Sequence, residues 1–537
     1  MRRARGGKVT NPWTATCTED HHRTGLGGRV HGYSGGMTPL WFRTSDRPAV
    51  RTGDLPDDHY DHVVIGGGIT GLSAALMLAR AGRTVAVVEA RYLGAAATGH
   101  TTGKVSLLQG TRFSSIAEHH GPEVLTDYLE ANRAAQEWLL DYCRTRDLGV
   151  EMRTAVTFAS TPDGVRQVVK EESACRRAGL STERTTCPEL PFRTSIGIAV
   201  DDQAQIDPMV VLGSLAADIR GLGGDVIEGV RVRGVKHRKG YVLDTEAGEL
   251  SADSVIVATG TPFLDRGGFF ARVHARRSYA AAFAVDEPIP EDMYLSADSP
   301  SVSLRTAPDP DNPDERLLLV GGFGHGVGRV RSEQSHVDEM LAWTRDRFPT
   351  ARLVARWSAQ DYESIDELPY VGPLLPGADG LQIATGFAKW GLTNGVAGAL
   401  AITGHLLGSP LPWAGTFRPW RNSELASVTS LASNNASVAV QMVSGYLALL
   451  RPVDKEPREG AGSVGHSGVL PRGVCTVGGS TTTVAPICTH LYGVLRWNDA
   501  ERSWDCPLHG SRFDHAGRVL EGPATRPLPG AGTATPD

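Results

Sequence analysis

At 537 residues the chain is too long for one hydrophobic core, and its 41% hydrophobic and 21% charged residues describe an ordinary multidomain globular protein. A formal net charge of −6 leaves no electrostatic footprint for nucleic acid, and no apolar run reaches the length of a transmembrane segment. Seven cysteines, an odd number, are too few for a disulfide framework at this length, and a reducing, cytoplasmic setting is expected.

Residues 1–57 are rich in Gly, Arg, Thr and Pro without periodicity and are expected to form a disordered extension. The segment from Met37, "MTPLWFRTSDRPAV", reads more like the beginning of a protein than what precedes it, which makes 1–36 a candidate gene-model artefact.

Organised structure starts at "HYDHVVIGGGITGLSAALMLARAGRTVAVVEA" (59–90), which predicts strand, glycine turn, helix and second strand. Gly66, Gly68 and Gly71 form G-x-G-x-x-G: a tight turn, a backbone open to a pyrophosphate, and a close helix–strand approach. Glu89 follows Gly71 by eighteen residues, where an acid accepts hydrogen bonds from ribose hydroxyls. With strand, helix and acid all in place, a dinucleotide site is favoured over a purely structural turn.

Downstream, 115–147 and 163–178 have helical periodicity, and 241–260 reads as a hairpin leading into a buried strand ending at Gly260. Strand-like segments dominate 270–360, with a helix near 333–347. "GGFGHGVG" (321–328) lacks dinucleotide spacing and reads as a flexible glycine loop. Strand, glycine turn and helix recur at 380–408, with Gly386 in the turn; a polar helical connector (422–450) and a Gly/Pro-bearing link follow.

The C-terminal region carries Cys488-Thr489-His490 and Cys506-Pro507-Leu508-His509, separated by fifteen residues. Each half offers one thiolate and one imidazole. Zinc sites more often pair Cys with Cys and His with His, so two Cys–His halves point to an iron–sulfur cluster with mixed ligation.

Together with "GAAATGHTTGKVSLLQG" (94–110), "VIVATG" (255–260), "RWSAQDYESIDELPYVGPL" (356–374) and "ATGFAKWGLTNG" (384–395), these motifs resemble the D-amino-acid-oxidase/glycine-oxidase superfamily of FAD-dependent oxidoreductases, in its bacterial branch with a C-terminal Rieske domain. The resemblance covers roughly residues 37–530 and implies two cofactors, FAD and a Rieske [2Fe-2S] cluster held by Cys488, His490, Cys506 and His509. It implies an α/β Rossmann-like FAD-binding domain with an inserted mixed β-sheet substrate domain, plus a small all-β Rieske domain. The expected boundaries are 58–425 for the oxidoreductase, with FAD-binding parts at about 58–110, 200–270 and 365–425 and substrate parts at about 150–200 and 271–364. A connector at 426–461 and the Rieske domain at 462–530 follow. Thr98, Thr101, Thr102, Lys104, Gly260, Gly386 and Lys389 join the expected cofactor contacts; Tyr279, His325, Tyr370 and Trp390 are the candidates for the substrate pocket.

The cluster loops lack the extra cysteine pair that clamps high-potential relatives. Ser511 remains as a donor to cluster sulfur, Phe513 offers no hydroxyl, and a potential below the respiratory type is expected. His490 and His509 are expected to place one iron near the surface, within reach of an external one-electron acceptor. The function that follows is oxidation of a small amine or amino acid by hydride transfer to FAD, with electrons leaving through the cluster. The alternative is an electron-transfer protein or redox sensor without an organic substrate of its own.

Overall fold

The computed structural model describes residues 38–44, 50–56, 59–421 and 428–529, with side chains described from 438 onward in the connector helix. Residues 1–36 and Met37, the expected start, lie outside the described residues.

Two large sheets and a C-terminal β module make up the molecule. In the first sheet, His59–Ile65 pairs in parallel with Val85–Val88 on one side and with Gly248–Val257 on the other, and Asp225–Glu228 extends it beyond Val85–Val88. Leu381–Thr385 also runs parallel to Gly248–Val257. The strands read as unbroken apolar runs such as "VAVV" because both faces are covered. Helices Ile69–Arg80 and Gly391–Leu406 pack together on one face, each buried along most of its length. The hairpin predicted at 241–260 forms from Gly240–Thr245 and Gly248–Val257.

The second sheet is mixed and centres on Val273–Ala284, which pairs antiparallel with Arg316–Gly326 and Arg352–Ser364. Lys104–Val105 belongs to this sheet rather than the first, through Ile196–Gln205. The glycine-rich 321–328 stretch is not a loop over its first part: Arg316–Gly326 is continuous strand, and the glycines let neighbouring backbone approach. A Cβ on Gly322 would stand 2.0 Å from Ser301 O.

The expectation of disorder through residue 57 fails at its end. Leu40 and Trp41 are fully buried, Trp41–Thr44 is a short helix, and Arg51–Thr52 adds a strand beside Asp225–Glu228. Trp41 Nε1 donates to Thr101 O at 2.6 Å and the Arg305 guanidinium lies over its ring, 5.3 Å from the centroid. Sequence periodicity could not show this, because a single turn with one large aromatic has no period. Trp41→Ala should cost about 3–5 kcal/mol of stability through the cavity and the orphaned carbonyl, read as a fall in denaturation midpoint.

The C-terminal module contains a three-stranded sheet from Gly462–Ser467 to Ser480–Val484 and a four-stranded sheet from Arg496–Asn498 to Val519–Glu521, all antiparallel. Its small core is Trp504, Phe513, Leu495 and Cys475. No helix among the described residues is long and apolar enough to cross a membrane.

Candidate functional site: a cavity shared by two domains

The strand–turn–helix at 59–80 shapes one end of a cavity of about 380 Å³. Gly66 has φ +116° and a Cβ there would meet Ala258 O at 2.4 Å; a Cβ on Gly71 would meet Gly66 O at 2.0 Å. Both positions therefore demand glycine, Gly71 for packing rather than for contact with the cavity. Helix Ile69–Arg80 receives no cap from its own Gly68, and Thr98 Oγ1 instead accepts the Ile69 N–H at 3.2 Å. Glu89 closes the second strand, its Oε2 accepting the Gly67 N–H and its Oε1 the Arg91 N–H, both at 2.8 Å. Each oxygen keeps a lone pair for a further donor.

Gly66, Gly68, Glu89, Thr98, Thr101, Thr102, Lys104, Gly260 and Lys389 all line this cavity. Gly71 and Gly386 do not; Gly386 turns the chain against Ser364 with φ +81°. Lys104 is buried, donates to Tyr294 O at 2.7 Å, and burial holds its ammonium well below the ordinary lysine range. Lys389 is accessible from the cavity yet enclosed by protein, and that enclosure lowers its pKa too. Its backbone N–H is held by Asp361, whose carboxyl is pushed up to about 6 by burial.

Of the four pocket candidates, Tyr279 and Trp390 line the cavity. His325 stands behind Tyr279, with its Nε2 3.0 Å from the tyrosine hydroxyl and its Nδ1 3.0 Å from Gly326 O. Tyr370 is elsewhere: it is fully buried against the guanidiniums of Arg272 and Arg421, each 4.5 Å from the ring centroid, and acts as a packing residue. Arg276, Gln360, Asp361 and Glu521 also line the cavity. Sequence reasoning missed them, since isolated charged and amide residues on strands carry no spacing signal.

At the C-terminal loops, the Cys488 and Cys506 thiols lie within hydrogen-bonding reach of each other. The His490 and His509 rings meet edge to face with centroids 5.2 Å apart, and both Nδ1 atoms are buried without a protein partner. Two thiols and two orphaned imidazole nitrogens converging from two loops fit a cluster ligated by sulfur on one iron and nitrogen on the other. Ser511 Oγ accepts the Ala524 N–H at 3.1 Å and interacts with Cys488, while Phe513 is in the core.

The histidine edge is not at the surface. His490 Nε2 is 2.6 Å from Asp265 Oδ1 of the oxidoreductase domain, and Phe270 packs edge-on against both rings. The expectation of an open iron edge is corrected by this docking. Gln360 Nε2 donates to Gly510 O at 2.7 Å and Arg329 Nε to Pro507 O at 3.0 Å, so the second cluster loop rests on the strand Arg352–Ser364, which walls the cavity, and on the turn after Arg316–Gly326.

A buried ion network crosses the same boundary. Arg277 binds Glu501 through two nitrogens and approaches Glu521 at 3.6 Å; Arg512 reaches Glu501 at 2.7 Å, Asp505 at 3.0 Å and Glu521 at 3.6 Å. Burial pushes the Glu501 carboxyl up, but the Arg277 and Arg512 guanidiniums outweigh it and hold it far below the usual carboxylate range. A depressed pKa contributes stability above the unfolded-chain value of about 4.3, and that stability is lost as pH falls toward the folded value. Glu501 should thus help hold the domains together throughout neutral pH and stop doing so only in strong acid; Glu501→Gln should remove that part of the acid dependence in a pH series of thermal melts.

The profile of the family "FAD dependent oxidoreductase" (DAO) matches residues 61–404, and that of the Rieske [2Fe-2S] domain matches 432–531. A putative Rieske 2Fe-2S iron–sulfur protein, YhfW of Bacillus subtilis (strain 168), is 29% identical over 496 residues, covering 91% of this chain and 96% of its own. Glycine oxidase of Bacillus licheniformis is 23% identical over 382 residues, 67% of this chain and 97% of its own. The crystal structure of glycine oxidase from Geobacillus kaustophilus shares the fold with a TM-score of 0.57 at 20% identity, covering 68% of this chain and 99% of that one.

Proposed function

This chain belongs to the FAD dependent oxidoreductase family and ends in a Rieske [2Fe-2S] domain, and from that premise we propose that it dehydrogenates a small amino acid or amine and that the electrons leave through the cluster. The observation that carries this reading is Gln360: one side chain lines the flavin cavity and holds Gly510, the residue after His509. When bound, FAD supplies a two-electron acceptor and the cluster a one-electron acceptor.

The protein's own residues bind and orient. Arg276 and Lys389 bring positive charge to the cavity, suited to a substrate carboxylate, and Asp361 lies beside them for an ammonium group. With His325 Nδ1 donating to Gly326 O, its Nε2 accepts from the Tyr279 hydroxyl. This buried pair sits among Val302, Leu304, Leu318 and Val320, so it holds the strand Val273–Ala284 in place behind the cavity rather than touching substrate. Both domains contribute walls to the cavity and keep bulk water from it. A cytoplasmic setting belongs to the same proposal, supported by Cys143, Cys175, Cys187 and Cys475, which lie outside the cluster loops and are buried and free.

Tyr279→Phe keeps the ring packing but leaves His325 Nε2 without its buried partner, which should cost about 1–3 kcal/mol of stability at unchanged flavin content, read as a fall in denaturation midpoint. The reading as a whole is tested by an anaerobic screen of amino acids and amines for loss of the oxidised flavin band. If no member of either class bleaches the flavin while a reduced protein partner does, the chain is an electron-transfer protein without its own organic substrate.

A further inference from the structure

The cavity that begins at the glycine turn is not closed by the oxidoreductase domain alone. Leu520, Glu521, Gly522, Ala524 and Thr525 of the C-terminal domain line the same cavity, and their segment starts where Glu89, Arg91 and residues 230–232 lie. That end is the adenosine end, because the acid closing the second strand of a dinucleotide fold takes the ribose hydroxyls. Two hydrogen bonds fasten the wall there: Arg91 Nη1 donates to Leu520 O at 3.3 Å and Arg231 Nη2 to Val519 O at 3.2 Å. The bond from Ala524 N to Ser511 Oγ ties the same segment to the second cluster loop.

We propose that residues 519–525 are part of the FAD site: they cover the adenosine half of the cofactor, and FAD enters and leaves only when the C-terminal domain moves off the cavity. The Rieske domain is then a cofactor clamp as well as an electron carrier. An adenosine half held under a wall packed at interior density leaves only when that wall moves. The Arg277, Glu501, Arg512 and Glu521 network sets how often they part, since it is the buried charged contact crossing the domain boundary beside this wall. Arg277 itself does not line the cavity, so replacing it alters the closure without removing a cofactor contact. The inference rests on FAD occupying this cavity and is independent of the substrate and of the electron path.

Two measurements on the full chain decide it. In wild-type protein, hydrogen exchange at amides 519–525 should be slower with FAD loaded than after the flavin is stripped. In Arg277→Gln holoprotein, release of FAD, followed as the rise of free-flavin fluorescence after dilution, should be about a hundredfold faster than in wild type while the cluster absorption persists. Exchange at 519–525 that is the same with and without FAD overturns the proposal. So does wild-type release from an Arg277→Gln protein in which faster exchange at 519–525 shows the wall has loosened. Should that variant fail to fold, the wild-type exchange comparison stands by itself. A protein that passes both tests yet oxidises no amine or amino acid refutes the proposed reaction and leaves the clamp intact.

Discussion

Replacing Cys506 with Ser should lower turnover with one-electron acceptors by about a hundredfold or more, because it removes an acceptor held at high effective concentration beside the flavin. The thiol is buried against Cys488 and Leu508, and a hydroxyl of nearly the same size leaves the Trp504–Phe513 core intact while providing a poor iron ligand. Substrate should still bleach the flavin in a single turnover. Both domains wall the cavity, so flavin occupancy has to be matched between variant and wild type before rates are compared. Iron, sulfide and flavin contents together with stopped-flow bleaching and acceptor assays check this. Acceptor-coupled turnover surviving in cluster-free protein means the flavin is reoxidised directly.

Gly71→Ala should give folded protein with about a tenfold or larger loss of bound FAD. The new methyl would stand 2.0 Å from Gly66 O, a backbone atom, and 3.1 Å from Val64 Cγ1. The backbone carbonyl cannot rotate away, so helix Ile69–Arg80 must lift from its strand and carry its N-terminal amides out of register with the pyrophosphate. The flavin-to-protein ratio after purification reads the effect, and reconstitution with excess FAD separates weakened binding from lost folding. A variant retaining full flavin would show that the close contact at Gly71 does not position the helix.

What the sequence revealed was local. Gly66, Gly68, Gly71 and Glu89 announce themselves because turn, helix and acid must stand at fixed offsets, and the two Cys–His pairs because each loop has to deliver a sulfur and a nitrogen. Arg277, Glu501, Arg512 and Glu521 were invisible: four ordinary charged residues, as much as 244 positions apart, are brought together only by the docking of two domains. One local clue existed in "SWDCPLHGSRFD", where Asp505 and Arg512 face inward beside apolar core residues. Tyr370 was misplaced because an aromatic serves packing as readily as a pocket, and here two guanidiniums stand 4.5 Å from its ring centroid. The docked position of His490 was unreadable for the same reason as the ion network: Asp265 lies 225 residues away.

The central claim, that electrons from the substrate pass to the cluster across the shared cavity, is tested most directly by anaerobic freeze-quench electron paramagnetic resonance. Wild-type protein is mixed with a substrate that bleaches its flavin, and no external acceptor is present. The reduced-cluster signal should appear within one turnover, as the flavin absorbance falls, and reach most of the chains. A flavin fully reduced over many turnover times beside a cluster that stays oxidised would contradict the account.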